Sequence, residues 1–235
     1  MRVTGLPWAA KRKTELAHYA LRRRLFMARV RVHAFWQRST IELDVSPDVK
    51  LGREVRATIE PRTNNVIRIG PNCSIGDRML FVLGGGQIEL GDWVEFRRDT
   101  VLTVAGQLVL EGKNVLQPGV AIHCDESIII RRMAGIGERT TIVDSAHYFT
   151  GPDDWMGDNL KTGPIEICYN AWLGAKVTVG RNVTIGHHAV VAANALVVED
   201  VPPGYLASGV PAVAVRRIVP WLDDDSPASS ERLTD

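Results

Sequence analysis

The 235-residue chain is poor in aromatic residues, at 6%, and has only three cysteines, Cys73, Cys124 and Cys168. A scattered set of odd number argues against a disulfide framework and fits reduced thiols in a cytoplasmic protein. No stretch approaches the roughly 18 consecutive apolar residues that a membrane span needs. A secretory leader is also not expected, because the basic stretch near the start is interleaved with apolar residues and no small-residue cleavage site closes an apolar run. Extensive disorder is excluded from the other side: 45% of residues are apolar and 23% charged, an ordinary globular balance.

The net charge is +1 but unevenly spread. Residues 1–40 hold ten Lys or Arg against the single acid Glu15, and the tail from Leu222 holds five acids against Arg232. Such a split points to a distinct task for the N-terminal arm. Residues 9–37 read as a helix, with Leu21, Leu25, Ala28, Val32 and Phe35 at spacings of three and four in one apolar stripe. Two uses fit: packing of the stripe on the body or a neighbouring subunit, or peripheral contact of a basic amphipathic helix with an anionic membrane. Nucleic acid is not expected as a partner, since no reading motif accompanies the charge.

The fold is carried by a repeat. From Leu173 the chain runs LGAKVT, VGRNVT, IGHHAV, VAANAL, VVEDVP, with an aliphatic residue at 173, 179, 185, 191 and 197 and Gly or Ala after the first four. Neither the helical period of 3.6 nor the strand period of 2 gives a beat of six. A triangular solenoid does: each six-residue unit makes one short flat side, the aliphatic residue points inward, and three sides close one coil. Looser copies occur at Ile69-Gly70, Ile75-Gly76, Leu90-Gly91 and Ile136-Gly137. Three regions follow: a basic helical arm over 1–40, a β-solenoid over 41–215, and a C-terminal segment with an acidic tail over 216–235. Gly84-Gly85-Gly86 reads as a turn or a tight backbone approach. Residues 148–171 are rich in Gly, Pro and Asp and read as an external loop that returns to the solenoid at Ile165-Glu166-Ile167. Pro202-Pro203-Gly204 reads as the stop of the stack.

The run from Trp172-Leu173-Gly174-Ala175 through Asp200-Val201-Pro202-Pro203-Gly204 to Gly209-Val210-Pro211-Ala212 resembles the hexapeptide-repeat acyltransferases. The likeness spans residues 110–217 and is nearest to galactoside and maltose acetyltransferases and to polysaccharide O-acetyltransferases. The resemblance implies a left-handed parallel β-helix, a homotrimer with each site between two solenoids, and acetyl-CoA as co-substrate with no metal. It implies a histidine base one loop before the Trp-x-Gly opening, which falls on His147, 25 residues ahead of Trp172. The chemistry suits an imidazole, because a hydroxyl is a poor nucleophile until a base takes its proton during attack. No acyl-enzyme is required, so the lack of a Ser-His-Asp or Cys-His signature is no obstacle.

Around this base, Asp144 is expected to orient the imidazole, and Gln117 falls near the family's acceptor-assisting amide, with Asn114 close by in sequence. His123, Tyr148, Asp153 and Trp155 are candidates to line the acceptor pocket. By the same resemblance, Trp172, Gly174, Ala175 and Ala193 border the coenzyme A path and Arg216 stands near its phosphates. Glu199 and Val213 depart from basic residues of the family, which shifts phosphate binding toward Arg216, Arg217, Lys176 and Arg181. The reaction expected is direct O-acylation of a sugar or other small hydroxyl acceptor. N-acylation of an amino-sugar, a zinc enzyme of the γ-carbonic anhydrase kind and a non-catalytic scaffold are the alternatives. The zinc site would need spaced histidines where the chain has adjacent His187-His188.

Overall fold

The computed structural model describes residues 8–153 and 159–219, with side chains from residue 15. One helix, α1 (Trp8–Trp36), precedes a three-faced parallel β-solenoid of about seven coils. The first face stacks seven strands from Thr40–Val45 to Val183–Ile185. The second stacks nine, from Lys50–Leu51 to Ala212–Arg217. The third stacks seven, from Arg56–Ile59 to Leu196–Val197. The beat of six is one face per unit: Leu173, Val179, Ile185, Val191 and Val197 fall on faces two, three, one, two and three.

Each strand alternates outward and inward side chains, and the inward ones form columns along the coil axis. Ile75, Phe96, Leu116, Ile136, Leu173 and Val191 make one such column and are buried. This continuous apolar lumen is the core. The corners need a residue in the left-handed backbone region once per coil. Asn72, Trp93, Lys113, Met133, Asn170 and His188 fill that role between faces one and two, with φ of 52° to 64°. Arg78, Asp99, Arg139, Lys176 and Asn194 do so between faces two and three. Their N–H groups donate to the coil before, as from Lys176 to the Glu138 carbonyl at 2.7 Å, so the corners are bonded along the axis as the flat sides are.

Gly84-Gly85-Gly86 serves both purposes expected of it. Gly85 has a φ of +100° at a corner, and a Cβ on Gly86 would stand 2.6 Å from the carbonyl oxygen of Gly106. Outside the core, Arg68 bridges Glu42 and Glu89, and Arg131 bridges Glu111 and Glu166. These pairs cross from coil to coil and fix their stacking.

The helix spans the expected segment, and of the two uses weighed for its apolar stripe, packing on the chain's own body is not the one taken. Phe26, Val30 and Ala34 are the residues buried against the solenoid, whereas Leu21, Leu25, Val32 and Phe35 are 48–77% exposed. The reason lies in the coil end. The helix touches the first strand of all three faces, so it lies across the open lumen. Phe26 enters that opening, with its ring 5.9 Å from Phe81 of the second coil. Phe26 fills the hole, and Val30 and Ala34 follow it at intervals of four on the same side of the helix. No described helix is long and apolar enough to cross a membrane.

At the other end, Tyr205–Gly209 runs parallel to Val190–Val191, and Ala212–Arg217 then turns back antiparallel on it. The acidic tail beyond Val219 lies outside the described residues.

Candidate functional site

The chain leaves the solenoid at the corner between faces three and one, just after Thr141–Val143. Ser145–His147 and Leu160–Thr162 form a two-stranded antiparallel hairpin there, pairing Ser145 with Thr162 and His147 with Leu160. His147 is exposed on this projection. Tyr148 follows it half-buried, its ring covered by the Lys161 ammonium at 4.4 Å from the centroid. Phe149 is 65% exposed. Asp153 is exposed near the tip, and Trp155 lies outside the described residues.

Asp144 anchors the base of the hairpin. Its carboxylate is fully buried and accepts three backbone N–H bonds, from Asp125 at 2.7 Å and from Glu126 and Ser127 at 2.9 Å. Its carbonyl accepts the Gly163 N–H at 2.9 Å on the returning strand. Both side-chain oxygens are thus engaged with backbone, and none of its hydrogen bonds goes to His147. Instead of orienting the imidazole, as proximity in sequence had suggested, Asp144 locks the corner from which the hairpin springs. Ser145 adds a second tie, its hydroxyl donating to Asp125 at 2.5 Å. His123 stands one coil earlier, on the outer side of face three and directly beside Val143 in the strand register. The acceptor-side candidates His147, Tyr148 and His123 are therefore grouped at one edge of face three.

The donor-side candidates gather at the other edge. Trp172 pairs with Val190, Val190 with Leu206 and Leu206 with Arg216, so indole and guanidinium lie in one row across face two. Trp172 is 45% exposed, and its ring lies over Gly135, where a Cβ would be 2.5 Å from it. Ala175 and Ala193 occupy consecutive coils at the corner between faces two and three, where the Asn194 N–H donates to the Ala175 carbonyl at 2.9 Å. Gly174 is obligatory for packing, since its Cβ would come 2.6 Å from the backbone nitrogen of Ala193. The result is a corner with little side-chain relief, beside the exposed cations Lys176, Arg216 and Arg217. Gln117 lies on this same edge, one residue past the Leu116–Ile136–Leu173 register, and not with His147. Asn114 is fully buried and spends its amide on the backbone of Gly112, Arg131 and Ala134.

His187 and His188 sit at a corner of the last full coil. The Nδ2 of Asn170 is 2.9 Å from Nδ1 of His188, and Tyr169 meets the His188 ring edge-on. Burial first, and the neighbouring His187 second, push the His188 pKa down. The thiols are shifted the other way: burial pushes up Cys73 and Cys124, and with the Glu166 charge it pushes Cys168 up to about 11. Among the described residues no group of three or more His, Cys, Asp or Glu is placed to hold a metal ion.

Sequence reasoning assigned nothing to Asp125, Ser145 or Lys161. The hairpin strands are three residues each, too short to display a period, so no signal in the sequence marked their pairing.

No family model matches the chain. Over 75 residues it is 45% identical to a provisionally named acetyltransferase of Staphylococcus aureus (strain COL), a match covering 32% of this chain and 35% of the relative. Its counterpart in strain MRSA252 is 43% identical over the same length. The chain thus spans about a third of the length of the curated relatives it matches. Among solved structures, it is similar to the polySia-specific acetyltransferase NeuO, with a TM-score of 0.56 and 16% identity over 80% of this chain and 88% of that one. It is also similar to the polysialic acid O-acetyltransferase OatWY, with a TM-score of 0.55 and 18% identity over 83% and 94%. At these identities the likeness is one of fold: the solenoid is similar to those of hexapeptide-repeat acetyltransferases.

Proposed function

We propose that the chain is an acyl-CoA-dependent O-acyltransferase, with His147 as general base and a sugar or other small hydroxyl compound as acceptor. What supports this most is the division of the molecule into two edges. One presents an exposed imidazole on an anchored hairpin; the other presents a smooth small-residue corner with an exposed indole and cations at its end. The first suits a hydroxyl that must lose a proton, and the second suits a long thin thioester held mainly through backbone groups.

In the transfer, the acceptor oxygen attacks the thioester carbonyl carbon while the imidazole of His147 takes its proton. The tetrahedral oxyanion is held by a backbone N–H. The C–S bond then breaks, and the imidazolium returns the proton to the leaving thiolate, giving the ester and free coenzyme A. The two edges lie on opposite sides of face three in a single chain. A site joining them is therefore built between copies, the hairpin of one against the donor corner of its neighbour, which fits the homotrimer that the resemblance implies. The short row from Trp172 to Arg216 spans three strand spacings, about 15 Å, in keeping with an extended pantetheine arm ending at a phosphate. Trp172, Ala175, Ala193 and Arg216 are assigned to the donor, Tyr148 and His123 to the acceptor, and Asp144 to positioning the hairpin. Three unbonded thiols suit a cytoplasmic setting.

The test is thiol release from acetyl-CoA in the presence of a panel of sugars and nucleotide-sugars, with the product analysed for ester or amide. Wild-type protein is expected to release thiol with at least one hydroxyl acceptor. His147→Ala is expected to lower turnover about 100-fold or more with circular dichroism unchanged. Full turnover in that variant would refute the role of His147, and an amide product would move the acceptor class to amino-sugars.

A further inference from the structure

The helix that closes the first coil leaves one face unused by the fold. Leu21, Val32 and Phe35 are 55%, 57% and 77% exposed, and Leu25 is 48% exposed. With Ala28 they form a continuous stripe at helical spacing, on the side opposite Phe26, Val30 and Ala34. The stripe is flanked on both sides by cations. Arg24 and Arg31 follow one margin and Arg22 and Arg29 the other, and residues 16–38 contain no acid. Among the described residues Arg24, Arg29 and Arg31 make no ion pair, in a chain whose solenoid pairs most of its arginines with carboxylates.

The direction of this stripe follows from the cap. Because the helix touches the first strand of each face and Phe26 enters the lumen, the opposite side of the helix looks outward along the coil axis. Copies packed side by side through their flat faces would leave it uncovered. A protein partner is not required to explain an apolar stripe bordered on both sides by arginines. A flat anionic lipid surface supplies both halves at once, acyl-chain boundary for the leucines and phenylalanine and phosphates for the arginines.

We propose that this face docks the protein onto an anionic bilayer, with the helix lying in the interface plane and the solenoid standing on end. The occupant is the lipid surface itself, recognised by headgroup phosphate and shallow apolar burial. In this pose the hairpin bearing His147, four coils above the cap, is held about 30 Å from the headgroups. The site then meets acceptors that project from the membrane and not the lipid headgroups. That last consequence rests on the transferase reading; the docking does not.

The experiment is co-sedimentation of the full chain with vesicles of equal parts phosphatidylcholine and phosphatidylglycerol, against vesicles of phosphatidylcholine alone, at physiological salt. The full chain is expected to sediment with the first and not the second. Leu21→Glu with Val32→Glu, both on the outward side, should reduce partitioning about 10-fold or more with the thermal midpoint unchanged. Arg24→Gln with Arg31→Gln should reduce it about 10- to 30-fold and weaken its salt dependence. Failure to sediment with phosphatidylglycerol vesicles would overturn the proposal. So would a fall in oligomer mass in the Leu21→Glu, Val32→Glu protein without vesicles, which would assign the stripe to a second copy. Acyl transfer to a water-soluble acceptor, measured without vesicles, is expected to survive both double variants, so loss of docking and loss of chemistry are read separately.

Discussion

At the scale of single residues, two side chains carry consequences that can be measured. Asp144 is buried with three backbone N–H groups aimed at its oxygens, a geometry that needs the full carboxylate. Asp144→Asn keeps the shape but replaces an acceptor with a donor facing a donor. It should cost about 3 kcal/mol, seen as a lowered denaturation midpoint with earlier proteolysis within the hairpin. A midpoint equal to wild type would show that the corner does not depend on the charge. His188 sets a pH dependence. Donation from Asn170 needs an unprotonated Nδ1, and the folded pKa lies below the ordinary 6.5, so the unfolded chain takes up the proton first as pH falls. The stabilisation is therefore complete above 6.5 and is lost as pH drops through the lower folded value. His188→Gln should flatten the decline of the thermal midpoint over that window, and an unchanged slope would assign it to other groups. The placement of His147 at the edge of an excursion from the solenoid was legible, because a stretch rich in Gly, Pro and Asp follows it directly. The true work of Asp144 was not, because its partners at 125–127 are neighbours only once two coils are stacked.

At the scale of elements, the helix and the hairpin show what periodicity reveals and what it leaves out. The helix was legible within a residue at each end, yet its buried side was not. It carries two apolar lines, and only the shape of the open coil decides which one enters. Phe26 is the deciding side chain, and Phe26→Ala should cost about 3–5 kcal/mol by leaving the lumen unfilled. Hydrogen exchange should localise the loss to α1 and the first coils, whereas a uniform loss over all coils would argue against a local cap. The regular coils announced themselves because one turn from Ile165 to Val183 is 18 residues, three units of six. The earlier turns from Gln87 to Gln107 and from Gln107 to Ser127 take 20 residues, and the first, from Thr40 to Asn64, takes 24. In the 20-residue turns the two additional residues lengthen face three, whose strands Val101–Val104 and Ala121–Cys124 run four residues where Thr178–Val179 runs two, so they break the beat without altering the stack.

At the scale of the whole molecule, a stack of parallel strands is stable only if its ends are closed, since an open last coil offers unpaired N–H and C=O groups to any similar edge. Here one end is closed by a helix and the other by a strand that reverses direction on Tyr205–Gly209. Removing residues 210–235 should expose that edge and produce concentration-dependent light scattering at conditions where the full chain stays clear. A truncated protein that remained clear would mean the edge is protected by its twist alone. The two stoppers also turn the coil count into a ruler. With α1 across the first coil and Ala212–Arg217 turned back on the last, an inserted or deleted coil between the helix and the hairpin would shift the imidazole by about 5 Å. The local surroundings of that imidazole would stay the same, so its reach is a property that evolution or design can change in whole steps.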